Sequence, residues 1–266
     1  GTNVVAIEVA GYNVNSYYHL DQPSFLQAEI VDGDKVLAST AGTGAPFEAQ
    51  LLESRVQKVQ RYSFQRTFSE VYNITPHADD WRTGGIFTPA KLAEMPTVRL
   101  LERIAPYPVF KIHHPVVELC SGTVKHNPDA RVWVDRALSG IGSDYKGFPQ
   151  KELATIPLHE VQRLDTASRA ATGTAYTPDK NLRIADNEFR IFDFGLNNAG
   201  FFGAVLRSDA PARVYFVFDE IMSGEDVSIQ RYSCANVVAY DLAGAGTYRV
   251  ETFEPYQLKV LKIIVS

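Results

Sequence analysis

The chain has 266 residues, 45% of them apolar and 21% charged, which allows a sizeable core in one large or two ordinary domains and excludes a disordered chain. Its formal net charge of −5 argues against a nucleic-acid partner, which would call for a basic face. No apolar run approaches the roughly 20 residues that span a bilayer, so no membrane partner is expected.

The chain opens on Gly1-Thr2-Asn3-Val4-Val5-Ala6-Ile7, which reads as a strand entered mid-domain with no signal peptide before it. Short segments rich in Val, Ile, Phe and Tyr, separated by Gly, Pro, Asn and Asp, predict strands over 4–10, 25–31, 56–64, 98–104, 109–112, 132–134, 189–194, 204–206, 214–218 and 258–265. Val214 to Phe218 is apolar on both parities and reads as a central strand covered on both faces, whereas Lys259 and Lys262 give the last strand a wetter face. Helical signals are few: a turn over 47–54 after Pro46, and a helix over 89–95 with Thr88 at its N-cap and Pro89 at its first position. Pro106, Pro108 and Pro115 place a boundary near 110–115, and 135–188 reads as a long Gly-, Ser-, Asp- and Thr-interleaved connection. The expected architecture is all-β: two antiparallel β-sandwiches in series, 1–112 and 113–266. Cys120 and Cys234 lie in apolar surroundings and read as buried free thiols; two cysteines alone cannot make a zinc site.

Asp193-Phe194-Gly195 matches the magnesium-holding tripeptide of protein kinases, but the Gly-rich loop, strand lysine and His-Arg-Asp loop that chemistry requires are not legible upstream. The local reading is a turn in which the Asp193 side chain bonds a backbone amide two residues on and Gly195 takes a positive φ. Gly200 and Gly203 read as a bulge and a close packing contact. Glu220 ends an apolar strand, and the expected partner of its carboxylate is Arg231 or a loop amide; Asp219 points to the opposite face, so the two are no catalytic pair. Asp79 and Asp80 read as an acidic surface loop in preference to a calcium site, and His113 and His114 face opposite sides of an extended segment and cannot chelate one ion. No phosphate loop, nucleophile elbow or metal-spaced Cys/His set is present in the sequence, and neither cofactor nor metal is expected. The Tyr-rich turn from Gly11 to His19 is the best carbohydrate-binding candidate: Tyr12, Tyr17 and Tyr18 offer faces for sugar C–H groups and Asn15 bonds hydroxyls, with Trp81, and less strongly Tyr145, as further loop aromatics.

The order of motifs resembles the β domains of bacterial α-L-rhamnosidases. Phe192-Asp193-Phe194-Gly195-Leu196-Asn197, Gly200-Phe201, Asp219-Glu220, Gly224, Arg231, the strand 237–242 and Thr252-Phe253-Glu254-Pro255-Tyr256 follow that family's sequence of signatures, with Lys259-Val260 where the family shows Arg-Tyr. Upstream, Gly1 to Ile7 resembles the first strand of the family's jelly-roll domain, and Ser69-Glu70-Val71-Tyr72 resembles its Gly-Glu-x-Tyr motif, followed here by Asn73-Ile74-Thr75 in place of Asp-Ala-Arg. The resemblance implies a jelly-roll-like domain over 1–112, a rhamnosidase-type β-sandwich over 113–266, a periplasmic or extracellular setting, and chemistry that resides in an (α/α)6 barrel following these domains. It therefore implies a non-catalytic β fragment that braces that barrel and contacts a rhamnose-containing glycan. An independent carbohydrate-binding module and a self-contained hydrolase using Glu220 or Asp193 are the competing readings. A bracing fragment would present an apolar docking face at Phe201-Phe202 and the strand 258–265, with one phenylalanine in the core and the other turned outward or covered by the 135–188 connection.

Overall fold

The computed structural model describes residues 3–14, 16, 22–85, 88–96, 99, 101–141, 147–178 and 181–266. The chain divides into two compact units, the first made of Gly1–Asn13, Asp21–Glu53 and Asp80–Ile112, the second of Val14–Leu20, Ser54–Asp79 and His113–Ser266. Both are built of strands, and the protein is all-β apart from short helical turns.

In the first unit, β1 (Glu29–Asp32) and β2 (Lys35–Ser39) form a hairpin in which Asp32 faces Lys35 and Gly33 turns the chain at φ +58°. The two-residue strands β3 (Gln50–Leu51) and β5 (Thr88–Pro89) pair antiparallel, extended by the Ala90 amide donating to Ala49 at 2.9 Å. Both segments that predict helix thus supply strand instead. They hold their best helical signals at their ends, and pairing with each other satisfies backbone groups that an isolated turn would leave to water. The predicted strands at 4–10 and 109–112, and the described part of 98–104, form no ladder: residues 101–114 are exposed throughout. Alternating apolar residues make a strand only where a partner edge is offered.

The second unit is organised around a seven-stranded sheet. Its strands are β4 (Val71–Ile74), β6 (Val117–His126), β7 (Leu164–Ala175), β8 (Glu188–Gly200), β10 (Ala212–Asp219), β13 (Val237–Leu242) and β15 (Tyr256–Val265), in the spatial order β4-β13-β10-β15-β8-β6-β7. Pairing is antiparallel except between β13 and β4, where Ala239 faces Val71 and Leu242 faces Ile74 in parallel. Residues 54–79, expected in the first domain, therefore furnish an edge strand of the second unit.

The both-parity apolar strand sits where it was expected. β10 lies between β13 and β15, with Tyr215 and Val217 in one core and Val214, Phe216 and Phe218 in the other. The first core adds Val71, Ile191, Val260 and Ile264 from the sheet, and Val59, Leu138, Leu158 and Val161 cover it from loops and from the short helix α1 (Pro157–Gln162). The second core is closed by the paired strands β9 (Gly203–Ser208) and β14 (Gly246–Glu251), which contribute Tyr248 and Val250. Burying each such side chain contributes about 1.5–3 kcal/mol. A Cβ on Gly203 would lie 2.2 Å from the Val250 carbonyl oxygen, so the expected close contact holds. A small hairpin of β11 (Met222–Ser223) and β12 (Asp226–Val227) follows β10.

Several expectations are corrected here. Residues 135–188 are no bare connection, since they contain α1 and the twelve-residue strand β7. Predicted strands at 56–64 and 132–134 are absent; Val59 and Arg61 make only isolated bridges, to Thr155 and Phe68. Gly200 stays in the ladder opposite Tyr256 and is not a bulge. Both cysteines are free thiols, but only Cys120 is buried and Cys234 is half-buried.

Candidate functional site

The site begins with a break in a ladder. Along the β8–β15 pair, Asp193 faces Val260 and Asn198 faces Leu258, so residues 194–197 stand opposite Lys259 alone. The Asp193 carboxylate opens this bulge by accepting the Gly195 amide at 2.7 Å, and Gly195 follows at φ +76°. That is the role of the kinase-like tripeptide: an Asx turn that pushes a loop out of a sheet. Lys259 Nζ lies 3.8 Å from Asp193 Oδ2 behind it.

The bulge carries Asn197 to the end of β10, where its amide donates to Glu220 Oε1 at 2.6 Å. Of the two partners the sequence offered for Glu220, an amide of the loop is the one found, and Arg231 goes elsewhere. It donates through Nε and Nη2 to the two oxygens of Asp219 at 2.6 and 2.8 Å, and Asp219 also accepts the Glu220 amide at 2.7 Å. Asp219 is only 2% exposed, so this two-point pair holds a charge that burial would otherwise oppose. Directly after Arg231 the backbone is left-handed at two successive non-glycine residues, Tyr232 (φ 53°) and Ser233 (φ 56°). Each such residue costs on the order of 1 kcal/mol or more. Tyr232 is 85% exposed, with the Arg231 guanidinium 5.9 Å from its ring centroid.

The remaining conspicuous carboxylates sit in closed arrangements. Glu70, with no exposed surface, accepts from Tyr72 and Tyr256 hydroxyls at 2.5 and 2.9 Å and from the Phe253 and Glu254 amides at 2.7 and 2.9 Å. Burial, then Glu70, pushes both tyrosines above the ordinary phenol value, so they remain donors. Glu160 on α1 accepts from Arg213 at 2.7 Å, Tyr215 at 2.8 Å and Thr155; burial and then Glu160 push Tyr215 up to about 12. Asp226 is held by Lys262 at 2.9 Å and Arg169 at 3.1 Å. A cleft of about 280 Å³ lies across β6, β7 and β8; its one carboxylate, Glu188, accepts the Ala185 amide at 2.8 Å. No group of three or more His, Cys, Asp or Glu able to hold a metal occurs among the described residues.

Of the carbohydrate candidates, Tyr12 and Trp81 are half-buried in the first unit, and the Arg82 guanidinium sits 4.7 Å over the Trp81 ring. Asn15, Tyr17, Tyr18 and Tyr145 lie outside the described residues. His113 and His114 are exposed on the segment leading to β6. Phe202 is 8% exposed in the second core and Phe201 is 47% exposed, the alternation expected of them. Tyr232 was missed: it follows a polar stretch with no apolar period, and its exposure comes from the turn's backbone. The signal available was Arg231 immediately before it.

No protein-family model matches the chain, and no curated protein matches it. Solved structures of rhamnosidases are similar in part. The α-L-rhamnosidase from Dictyoglumus thermophilum shares 17% identity at a TM-score of 0.26 over 29% of this chain and 9% of its own. A GH78 family rhamnosidase of Bacillus sp. GL1 shares 15% at 0.32, over 38% and 12% respectively. A rhamnosidase from Klebsiella oxytoca with rhamnose bound shares 15% at 0.27, over 58% and 26%. The matched regions thus span at most about a quarter of those proteins' length.

Proposed function

We propose that this chain is a non-catalytic β module of an α-L-rhamnosidase-like glycoside hydrolase, one that braces an (α/α)6 catalytic barrel and contacts carbohydrate. The observation that carries the reading is what the strand-end carboxylates do. Glycoside hydrolysis needs two carboxyls roughly 5–9.5 Å apart with a sugar between them. Here Asp193 closes a turn, Asp219 clamps Arg231 and Glu70 is encircled by four donors. Glu220, half-buried at the end of β10, is engaged with the Asn197 amide. The ordered motifs that resemble the rhamnosidase β domains thus have structural duties, as an accessory role requires. The outward Phe201, beside the buried Phe202, supplies apolar surface for docking.

Purified chain incubated with aryl α-L-rhamnosides and with other aryl glycosides is expected to release no aglycone. Turnover that disappears in Glu220→Gln and in Asp193→Asn would defeat the proposal in favour of a self-contained hydrolase.

A further inference from the structure

We infer that Tyr232, with Arg231, Glu220 and Asn197, forms a binding surface for a neutral pyranoside; this deepens the carbohydrate contact of the module reading. Three observations converge on it. A tyrosine is kept where the backbone asks for glycine, since φ 53° is followed by φ 56° at Ser233. The residue is 85% exposed, so it fills no core to offset that conformation. Strain held without a packing reward points to use by a ligand.

The neighbouring polar groups have hydrogen-bonding capacity left over. Asp219 fixes the Arg231 guanidinium through Nε and Nη2, while its Nη1 makes no hydrogen bond among the described residues. Glu220 receives the Asn197 amide on Oε1, and neither Glu220 Oε2 nor Asn197 Oδ1 is engaged among them. A flat aromatic face 5.9 Å from a guanidinium fixed on Asp219, with the Asn197–Glu220 pair at the next residue of the chain after Asp219, matches a pyranose, which has an apolar C–H face and hydroxyls that both donate and accept. Charge selects within that class. Two carboxylates, Asp219 and Glu220, accompany one guanidinium, so the patch repels uronates, sulfates and phosphates and accepts uncharged sugars.

The test is titration of the isotope-labelled full chain with methyl α-L-rhamnopyranoside and methyl β-D-glucopyranoside, read by amide shifts at 196–197, 220–221 and 231–233. Saturable shifts at those positions are expected with at least one glycoside, and they should persist at high salt because the ligand is neutral. Tyr232→Gly should weaken binding by about tenfold or more. It should leave the melting midpoint unchanged or raised, because glycine takes φ 53° without strain. Glu220→Gln should weaken binding with the fold intact. Absence of saturable shifts with both glycosides, or undiminished binding by Tyr232→Gly, overturns the inference. A lowered midpoint in Tyr232→Gly marks the ring as structural and overturns it too. Aglycone release from aryl rhamnosides would defeat the non-catalytic reading and leave this surface standing, so the two failures are told apart.

Discussion

Glu70 has no exposed surface, and what makes its burial tolerable is the count of donors around it. Oε1 receives the Glu254 amide and the Tyr256 hydroxyl; Oε2 receives the Phe253 amide and the Tyr72 hydroxyl. In Glu70→Gln, whichever way the amide is turned, its NH2 meets one backbone N–H that cannot reverse its polarity, although a tyrosine hydroxyl can rotate. The expected loss is about 2–3 kcal/mol, measured as a shift in the urea midpoint. A loss below about 1 kcal/mol would show that the four contacts do not act on one ionised carboxylate. Gly195 is the complementary case, in which backbone matters more than polar contact. Its φ is +76°, and an added Cβ would stand 3.2 Å from Val116 Cγ2. Gly195→Ala should cost about 1 kcal/mol or more in the same assay, and an unchanged midpoint would mean the bulge has another origin.

At the scale of elements, α1 buries Leu158 and Val161 in the first core and buries His159 as well. Burial, then Arg163, lowers the His159 pKa below its ordinary value, and Glu160 only partly opposes this. The unfolded chain therefore binds a proton at higher pH than the folded one. The corresponding stability is present above about pH 6.5 and is lost as pH falls toward the folded value. Relative to His159→Gln, the native chain should lose more of its melting midpoint between about pH 7.5 and pH 5; parallel pH profiles would remove His159 as the cause. The same elements show what sequence can and cannot reveal. β10 was legible because a strand covered on both faces needs apolar residues on both parities, and β8 and β15 because they are short runs rich in Val, Ile and Phe. β7 was not: its Leu164–Ala175 run is mostly Ala, Ser, Thr and Gly, exposed on both faces, and becomes a strand only because β6 offers it an edge. Helix α1 was hidden in a stretch read as connection, since six residues cannot show a 3.6 period. In the site, the Asp193 turn could be read because an Asx turn is local. The choice of Asp219 over Glu220 by Arg231 depends on which face of β10 each residue takes at the strand's end. Tyr232 could not be found by any period, because a left-handed turn leaves none.

At the scale of the whole molecule, chain order and packing order differ. Residues 54–79 precede the last segment of the first unit, Asp80–Ile112, yet pack in the second. Their strand β4 pairs with β13, and Val71, Tyr72 and Ile74 are buried in its two cores. Glu70 and Arg66 tie the same segment to 253–256, the latter through Glu254 at 3.2 Å and the Pro255 carbonyl at 3.0 Å. Downstream, residues 101–114 are exposed, lie outside every strand and helix, and contain Arg103 and Lys111. Brief trypsin treatment should therefore cut after Arg103 or Lys111 before it cuts within the sheet, because cleavage needs an exposed, unladdered backbone. The nicked protein should nonetheless elute as one species under native conditions and resolve into two fragments only in denaturant, because the N-terminal piece keeps 54–79 in the second unit's sheet. Removing that segment would uncover the β13 residues that β4 covers and leave the Phe253 and Glu254 amides and the Tyr256 hydroxyl without the Glu70 carboxylate, at a cost of several kcal/mol. Separation of the fragments without denaturant would mean that β4 is a dispensable edge, and that the second unit is complete from residue 113 onward.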